Sequence, residues 1–276
     1  MMDALLAPFA YEFMQRAFIA ALIVGLLCSV MGTYVVLRKL SFIGDGLAHA
    51  SFAGIVIAYL RGVNYAIGAA AVAVITALGI GFVHRRAKVS LDTSIGVLFT
   101  GAFALGVFLM SRSTRTTVDL SSFLFGDILG VSRTDLAIIV SLAIVVAIVV
   151  AALWRQLLFT SFDPVVAEAA GIRSARVDDI LLVLLALTII VSLQSVGIVL
   201  VAALLVTPAA AAAQLTRRFV PMMLLSAAFG VVSSVGGLYL SYSLRASSGA
   251  TIVLLATVLF FAALVTGSRQ RRPRSL

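Results

Sequence analysis

The sequence has one cysteine, two lysines and few charges of either sign. Cys28 lies inside the first apolar run, so an internal disulfide and a cysteine-based metal site are both excluded. Lys39 and Lys88 fall outside any Gly-x-x-x-x-Gly-Lys-Ser/Thr loop, so the usual phosphate cradle is missing and the chain is not expected to hydrolyse ATP itself. Charged residues make up 11% of the 276 positions, against about 25% in a soluble domain, which points to a solvent other than water. No stretch is long and polar enough to form a separate soluble domain.

What is present is apolar: 62% of the residues are hydrophobic. They gather in runs at about 13–37, 46–60, 64–83, 93–111, 134–154, 179–195, 196–214, 220–242 and 250–267. A helix crosses the hydrocarbon core with about twenty such residues. Within lipid the backbone must satisfy its own polar groups, so continuous apolar runs predict helices, and the lack of alternation argues against a closed barrel. The expected fold is all-α: one polytopic transmembrane helical bundle over 1–276, embedded in the bilayer of the inner membrane. The stretch 179–214 holds Gly197 and Pro208 and reads as two short helices or one long bent one, so the count is eight or nine. Asp3 and Glu12 stand where a signal peptide would be basic, and the first run is too long for one; it is expected to be a retained first helix.

The net charge of +9 comes from short clusters between the runs: Arg38-Lys39, Arg85-Arg86 with Lys88, Arg217-Arg218, and Arg269 through Arg274. With nine alternating helices all four fall on one side, which by the positive-inside rule puts the N-terminus outside and the C-terminus inside. A nucleic-acid partner is not expected, because basic stripes with stacking aromatics on a soluble fold are missing.

Two connections are longer than a turn requires. The outer one, 112–132, includes Gly126, Asp127 and Gly130 and reads as a re-entrant or surface-lying segment. The inner one, 155–178, contains Asp163 to cap a helix, Pro164 to suit its first position and Gly171 to end it. This predicts a compact helix of about two turns at 163–172. Its apolar Val165, Val166 and Ala169 favour a docking knob for a cytoplasmic partner over an ordinary loop.

The second apolar segment opens Gly44-Asp45-Gly46-Leu47-Ala48-His49. Asp45 and His49 are four residues apart and share one helical face. A carboxylate with an imidazole suits Zn²⁺ or Mn²⁺, and ionisable residues within a span are costly enough to suggest function. The plainer alternative makes Asp45 a helix cap and His49 a satisfied polar residue. Two ligands do not complete a site, and a homodimer with the pairs facing each other would supply four. No permanently bound cofactor is expected; the ion would be cargo, held weakly enough to leave. Of the other candidates, His84 reads as a solvated loop residue, Asp92 as a helix cap and Asp127 as a turn residue. Thr207-Pro208 marks a helix break, either lining a cavity or simply kinking the helix.

Several blocks in order resemble the ABC-3 family, the permeases of bacterial manganese, zinc and iron ABC importers. They are Leu40 through Ala50, Ser90-Leu91-Asp92-Thr93-Ser94-Ile95-Gly96, Leu124 through Ser132, Phe162-Asp163-Pro164 with Glu168-Ala169-Ala170-Gly171, and Leu205-Val206-Thr207-Pro208-Ala209-Ala210. The resemblance covers nearly the whole chain and implies a type II-like importer permease that pairs with a second copy of itself. It also implies two docked cytoplasmic ABC ATPases and an extracytoplasmic metal-binding protein that delivers the ion. The family's intramembrane metal residues map onto Asp45 and His49, and its ATPase-coupling helix onto Asp163 through Gly171, including Glu168. The Ser90–Gly96 block leans towards manganese over zinc. An ion-coupled secondary transporter using the Asp/His pair as a proton relay, a siderophore- or cobalamin-type permease, and a non-transporting membrane sensor or scaffold are the competing readings.

Overall fold

The computed structural model describes residues 11–112 and 128–270, and every regular element among them is helical. In chain order these are α1 (Glu12–Leu37), α2 (Ile43–Arg61), α3 (Tyr65–Ala87), α4 (Leu91–Ser111), a 3₁₀ turn (Ile128–Gly130), α5 (Arg133–Ala152), α6 (Trp154–Phe162), α7 (Pro164–Ala169), α8 (Ser174–Val196), α9 (Ile198–Leu215), α10 (Phe219–Leu244) and α11 (Ser248–Gln270). Eight of the described helices are long and apolar enough to cross a membrane: α1 to α5 and α9 to α11. A further long helix, α8, carries Arg176, Asp178 and Asp179 in its first two turns.

The expected all-α polytopic fold is borne out. The stretch 179–214 is two helices, α8 and α9, parted at Gly197. Its φ of 83° and ψ of 165° lie in a region open essentially to glycine, so the break is fixed by the residue that occupies it. Pro208, by contrast, lies buried inside α9 without ending it. Two expectations fall short. The inner connection holds two helices, not one, because α6 continues from the end of α5 after a one-residue break. Its mixed apolar and polar residues did not separate from the preceding run. Helix α8 also starts five residues earlier than its apolar run, at Ser174 rather than 179, because Arg176 and Asp178 belong to the helix.

Helix ends follow local chemistry. The Asn64 side chain accepts from the Ala66 N–H at 2.8 Å to cap α3, and Ser90 accepts from the Thr93 N–H at 3.1 Å to cap α4. At the start of α5, Asp135 N–H donates to Ser132 Oγ (3.1 Å) while Ser132 N–H donates to Asp135 Oδ2 (3.0 Å). That reciprocal pair is a capping box built with Asp. The outer segment from 113 to 127, with Gly126 and Asp127, lies outside the described residues.

The described residues fall into two compact units. One holds 11–36, 128–140 and 195–270; the other holds 37–112 and 141–194. In the first, α9, α10 and α11 pack on one another, and α1 contributes Ser29, whose carbonyl accepts from Ser226 Oγ of α10 at 2.8 Å. In the second, α2, α3 and α4 pack mutually around α2. There the backbones of α2 and α3 nearly touch: a Cβ on Gly54 would meet the Gly68 carbonyl oxygen at 2.1 Å, and one on Gly68 would meet the Gly54 oxygen at 2.3 Å. Small residues allow this approach, which favours dispersion and polar contacts between helices in lipid. The outward faces of α4, α5 and α11 carry exposed Phe108, Ile148 and Phe261. Apolar side chains on the outer faces of long apolar helices suit contact with lipid tails.

Candidate metal-permeation site

Helix α2 is buried on most of its surface, through Gly46, Leu47, Ala50, Ser51, Ala53 and Gly54 among others. Asp45 and His49 interrupt this pattern one turn apart, with side chains 52% and 28% exposed. Asp45 is not the helix cap: Phe42 occupies that position without a side-chain cap bond, and Asp45 lies in the first turn. A carboxylate there is favoured by the helix dipole, but it leaves both carboxylate oxygens available.

His49 Nδ1 lies 2.9 Å from the Asp45 backbone oxygen. A carbonyl only accepts, so Nδ1 carries the proton and Nε2 keeps the lone pair, a tautomer in which Nε2 can bind a metal. The same Nδ1 stands 3.4 Å from Asp45 Oδ1, long for a hydrogen bond. The imidazole is held by aromatic neighbours on α4: Phe103 edge-on at 5.7 Å between ring centroids and Phe99 at 6.3 Å. The residue types on this face can offer an imidazole nitrogen and carboxylate oxygens to a divalent ion. No cluster of three or more His, Cys, Asp or Glu occurs among the described residues, so one chain supplies two side-chain ligands where Zn²⁺ takes about four and Mn²⁺ about six.

The other candidates separate from this pair. His84 is in the last turn of α3 instead of a loop, with Nδ1 donating to the Val89 carbonyl at 2.7 Å. It lines a cavity of about 40 Å³ with Arg38, Arg85 and Asp178. Asp92 lies in the first turn of α4, whose cap is Ser90. Thr207 and Pro208 are interior to α9.

The expected short helix is present as α7. Asp163 Oδ1 accepts from the Val165 and Val166 N–H groups, each at 3.0 Å, and Pro164 takes the first helical position. At the far end Gly171 has φ 82°, its N–H donates to the Glu168 carbonyl, and the Ile172 N–H donates to that of Ala167, both at 2.9 Å. Those paired bonds are a Schellman ending. Ala167 is fully buried while Val165 is 75% and Val166 53% exposed; Asp163, Glu168 and Gly171 are exposed as well. Sequence reading missed the surroundings of this helix. Arg38, read only as a basic flank, pairs with Asp178, and Arg85 pairs with Asp179 at 2.8 Å. Partners 140 and 94 residues apart leave no local signal; the two acids at the edge of an apolar run were the available clue.

Residues 10–267 match the family described as the ABC 3 transport family. The chain belongs to the ABC-3 transport family. It shares 44% identity over 261 residues with the manganese transport system membrane protein MntC of Halalkalibacterium halodurans, covering 95% of this chain and 89% of that one. It shares 35% with the manganese import system permease protein ScaB of Streptococcus gordonii, covering 95% and 94%, and 38% with a probable iron transport system membrane protein of Haemophilus influenzae, covering 96% and 97%. Among solved structures, PsaBC from Streptococcus pneumoniae in complex with Fab matches with a TM-score of 0.84 at 32% identity, covering 98% of both chains. As an ABC-3 member with eight membrane-length apolar helices, this is a multi-pass inner-membrane permease.

Proposed function

We propose that this ABC-3 permease imports Mn²⁺ as the membrane subunit of an ATP-driven system, with Asp45 and His49 as intramembrane ligands for the cargo. The observation that carries this reading is the pair itself: a carboxylate and an imidazole one helical turn apart on the exposed face of an otherwise buried helix. Several relatives named for manganese support Mn²⁺ as the ion. An identical pair from a second copy would complete the site, giving two carboxylates and two imidazoles. A weak and shared site suits passage, because the ion must leave again. The N-terminus faces outside, where a metal-binding protein delivers the ion; the C-terminus and α7 face the cytoplasm. There α7 receives a separate ABC ATPase through exposed Val165 and Val166, and hydrolysis occurs on that subunit.

The test is uptake of radiolabelled Mn²⁺ into proteoliposomes holding the permease, its ATPase and its binding protein, with Zn²⁺ and Fe²⁺ as competitors. Asp45→Ala and His49→Ala abolish uptake while assembly survives; normal uptake in both removes the site assignment. Glu168→Lys or deletion of 163–171 lowers permease-stimulated hydrolysis. Unchanged stimulation and co-purification would remove the docking assignment. Co-purification of two differently tagged copies checks the homodimer.

A further inference from the structure

The side chain of Arg38 is 11% exposed, and all three guanidinium nitrogens are engaged. Nε donates to Ser161 Oγ at 3.0 Å, one terminal nitrogen donates to Thr160 Oγ1 at 2.7 Å, and the other pairs with Asp178. The two hydroxyls are oriented to receive it. Ser161 Oγ donates its own proton to the Leu157 carbonyl at 2.6 Å and Thr160 Oγ1 to that of Gln156 at 2.9 Å, so each turns lone pairs towards the arginine. Thr160 and Ser161 end α6, directly before α7, and Asp178 lies in α8, directly after it. The short helix is itself tied to α8, because Ser174 Oγ donates to the Pro164 carbonyl at 3.1 Å. One planar fork thus clamps both flanks of α7. A fork with five fixed donors holds such a junction in a way a lysine cannot.

Arg38 is also joined stiffly to α2. Lys39 adopts a left-handed φ of 57°, Leu40 is 2% exposed, and the Leu40 carbonyl accepts from the Ile43 N–H at 2.9 Å, where α2 begins. Asp45 is two residues further on. We propose that Arg38 is a positioning residue that transmits displacement of the α6–α7–α8 junction to the N-terminal end of α2 and so to the Asp45–His49 pair. The proposal rests on the reading above in which α7 docks the ATPase. It assigns Arg38 no contact with the ion. Its role is to tie ATPase-driven movement to the ligands.

The experiment uses the full complex in proteoliposomes and measures Mn²⁺ transported per ATP hydrolysed. Arg38→Lys, Asp178→Asn and the double variant Thr160→Val/Ser161→Ala are compared with the unaltered permease. Each variant lowers the ratio at least tenfold, while hydrolysis stays within about twofold and Mn²⁺ binding, read by electron paramagnetic resonance in detergent, is unchanged. A merely structural role would not split these readouts. Ratios equal to the unaltered permease overturn the proposal, as does a parallel fall in hydrolysis and transport at constant ratio. If Arg38→Lys fails to assemble, the double variant, which leaves the Arg38–Asp178 pair in place, decides alone. Val165→Asp separates the two readings: stimulated hydrolysis that survives it defeats the docking assignment, whereas the Arg38 result is read from the ratio.

Discussion

The two compact units bury polar groups in different ways. In the unit built on α9, α10 and α11 with most of α1, the buried polar side chains are hydroxyls, such as Ser29, Thr33, Ser226, Ser233 and Ser234. Its ion pair, Arg133 with Glu12, is at the helix ends with side chains 80% and 62% exposed. The unit built on α2, α3 and α4 also buries hydroxyls, Ser51 and Ser94 among them, and holds charged pairs partly withdrawn from solvent: Arg38 with Asp178, Arg85 with Asp179, and Asp45 with His49; the first unit's half-buried charges, Arg16 and Asp135, lie outside its ion pair. Hydroxyls can satisfy themselves on the preceding helical turn, as Ser233 does on the Phe229 carbonyl at 2.7 Å. Charges cannot, and they persist in an apolar setting only with a partner or a task. The proposed handling of the ion falls to the second unit.

Substitutions can break or sharpen that contrast. The largest effect belongs to the packing beneath the ion pair. Gly54→Leu forces the α2 and α3 backbones apart and costs about 4 kcal/mol or more, the range reserved for severe core disruption. The yield of monodisperse protein in detergent reports it. Next comes Asp45→Asn, which keeps shape but removes the charge. Uptake falls at least a hundredfold while thermal unfolding is unchanged, so stability and transport part company in this unit. A much smaller effect is expected across the α1–α10 contact: Ser226→Ala loses one bond to the Ser29 carbonyl and destabilises by about 0.6 kcal/mol, typical of interhelical hydrogen bonds in membranes. Thermal unfolding in detergent should show it, with uptake intact. Smallest of all is Arg133→Gln. Surface ion pairs contribute little, so neither unfolding nor uptake should change measurably, and a clear loss of transport there would erase the contrast between the units.

Much of this was legible because the relevant physics is local. Span length and continuous apolarity gave the helices; Asp163, Pro164 and Gly171 gave α7 with both its ends; the four-residue spacing gave Asp45 and His49 a common face. What escaped was non-local or blended. Helix α6 followed α5 too closely for its mixed composition to stand apart, and Arg176 and Asp178 looked like loop residues because an apolar-run criterion stops at charge. The partnership of Arg38 with Thr160, Ser161 and Asp178 is a product of folding, and no window along the chain contains it. Asp45 was ambiguous between cap and ligand in the sequence, and Phe42 in the cap position removes the first of these.

The crossing of Gly54 on Gly68 has a consequence for how this sequence can change. Compensation between packed positions ordinarily works by trade: one residue grows as its neighbour shrinks. Here both partners are already at the minimum, so a larger residue at either has no reciprocal change at the other to rescue it. The two positions are therefore frozen together, and drift in this neighbourhood is confined to residues that flank them.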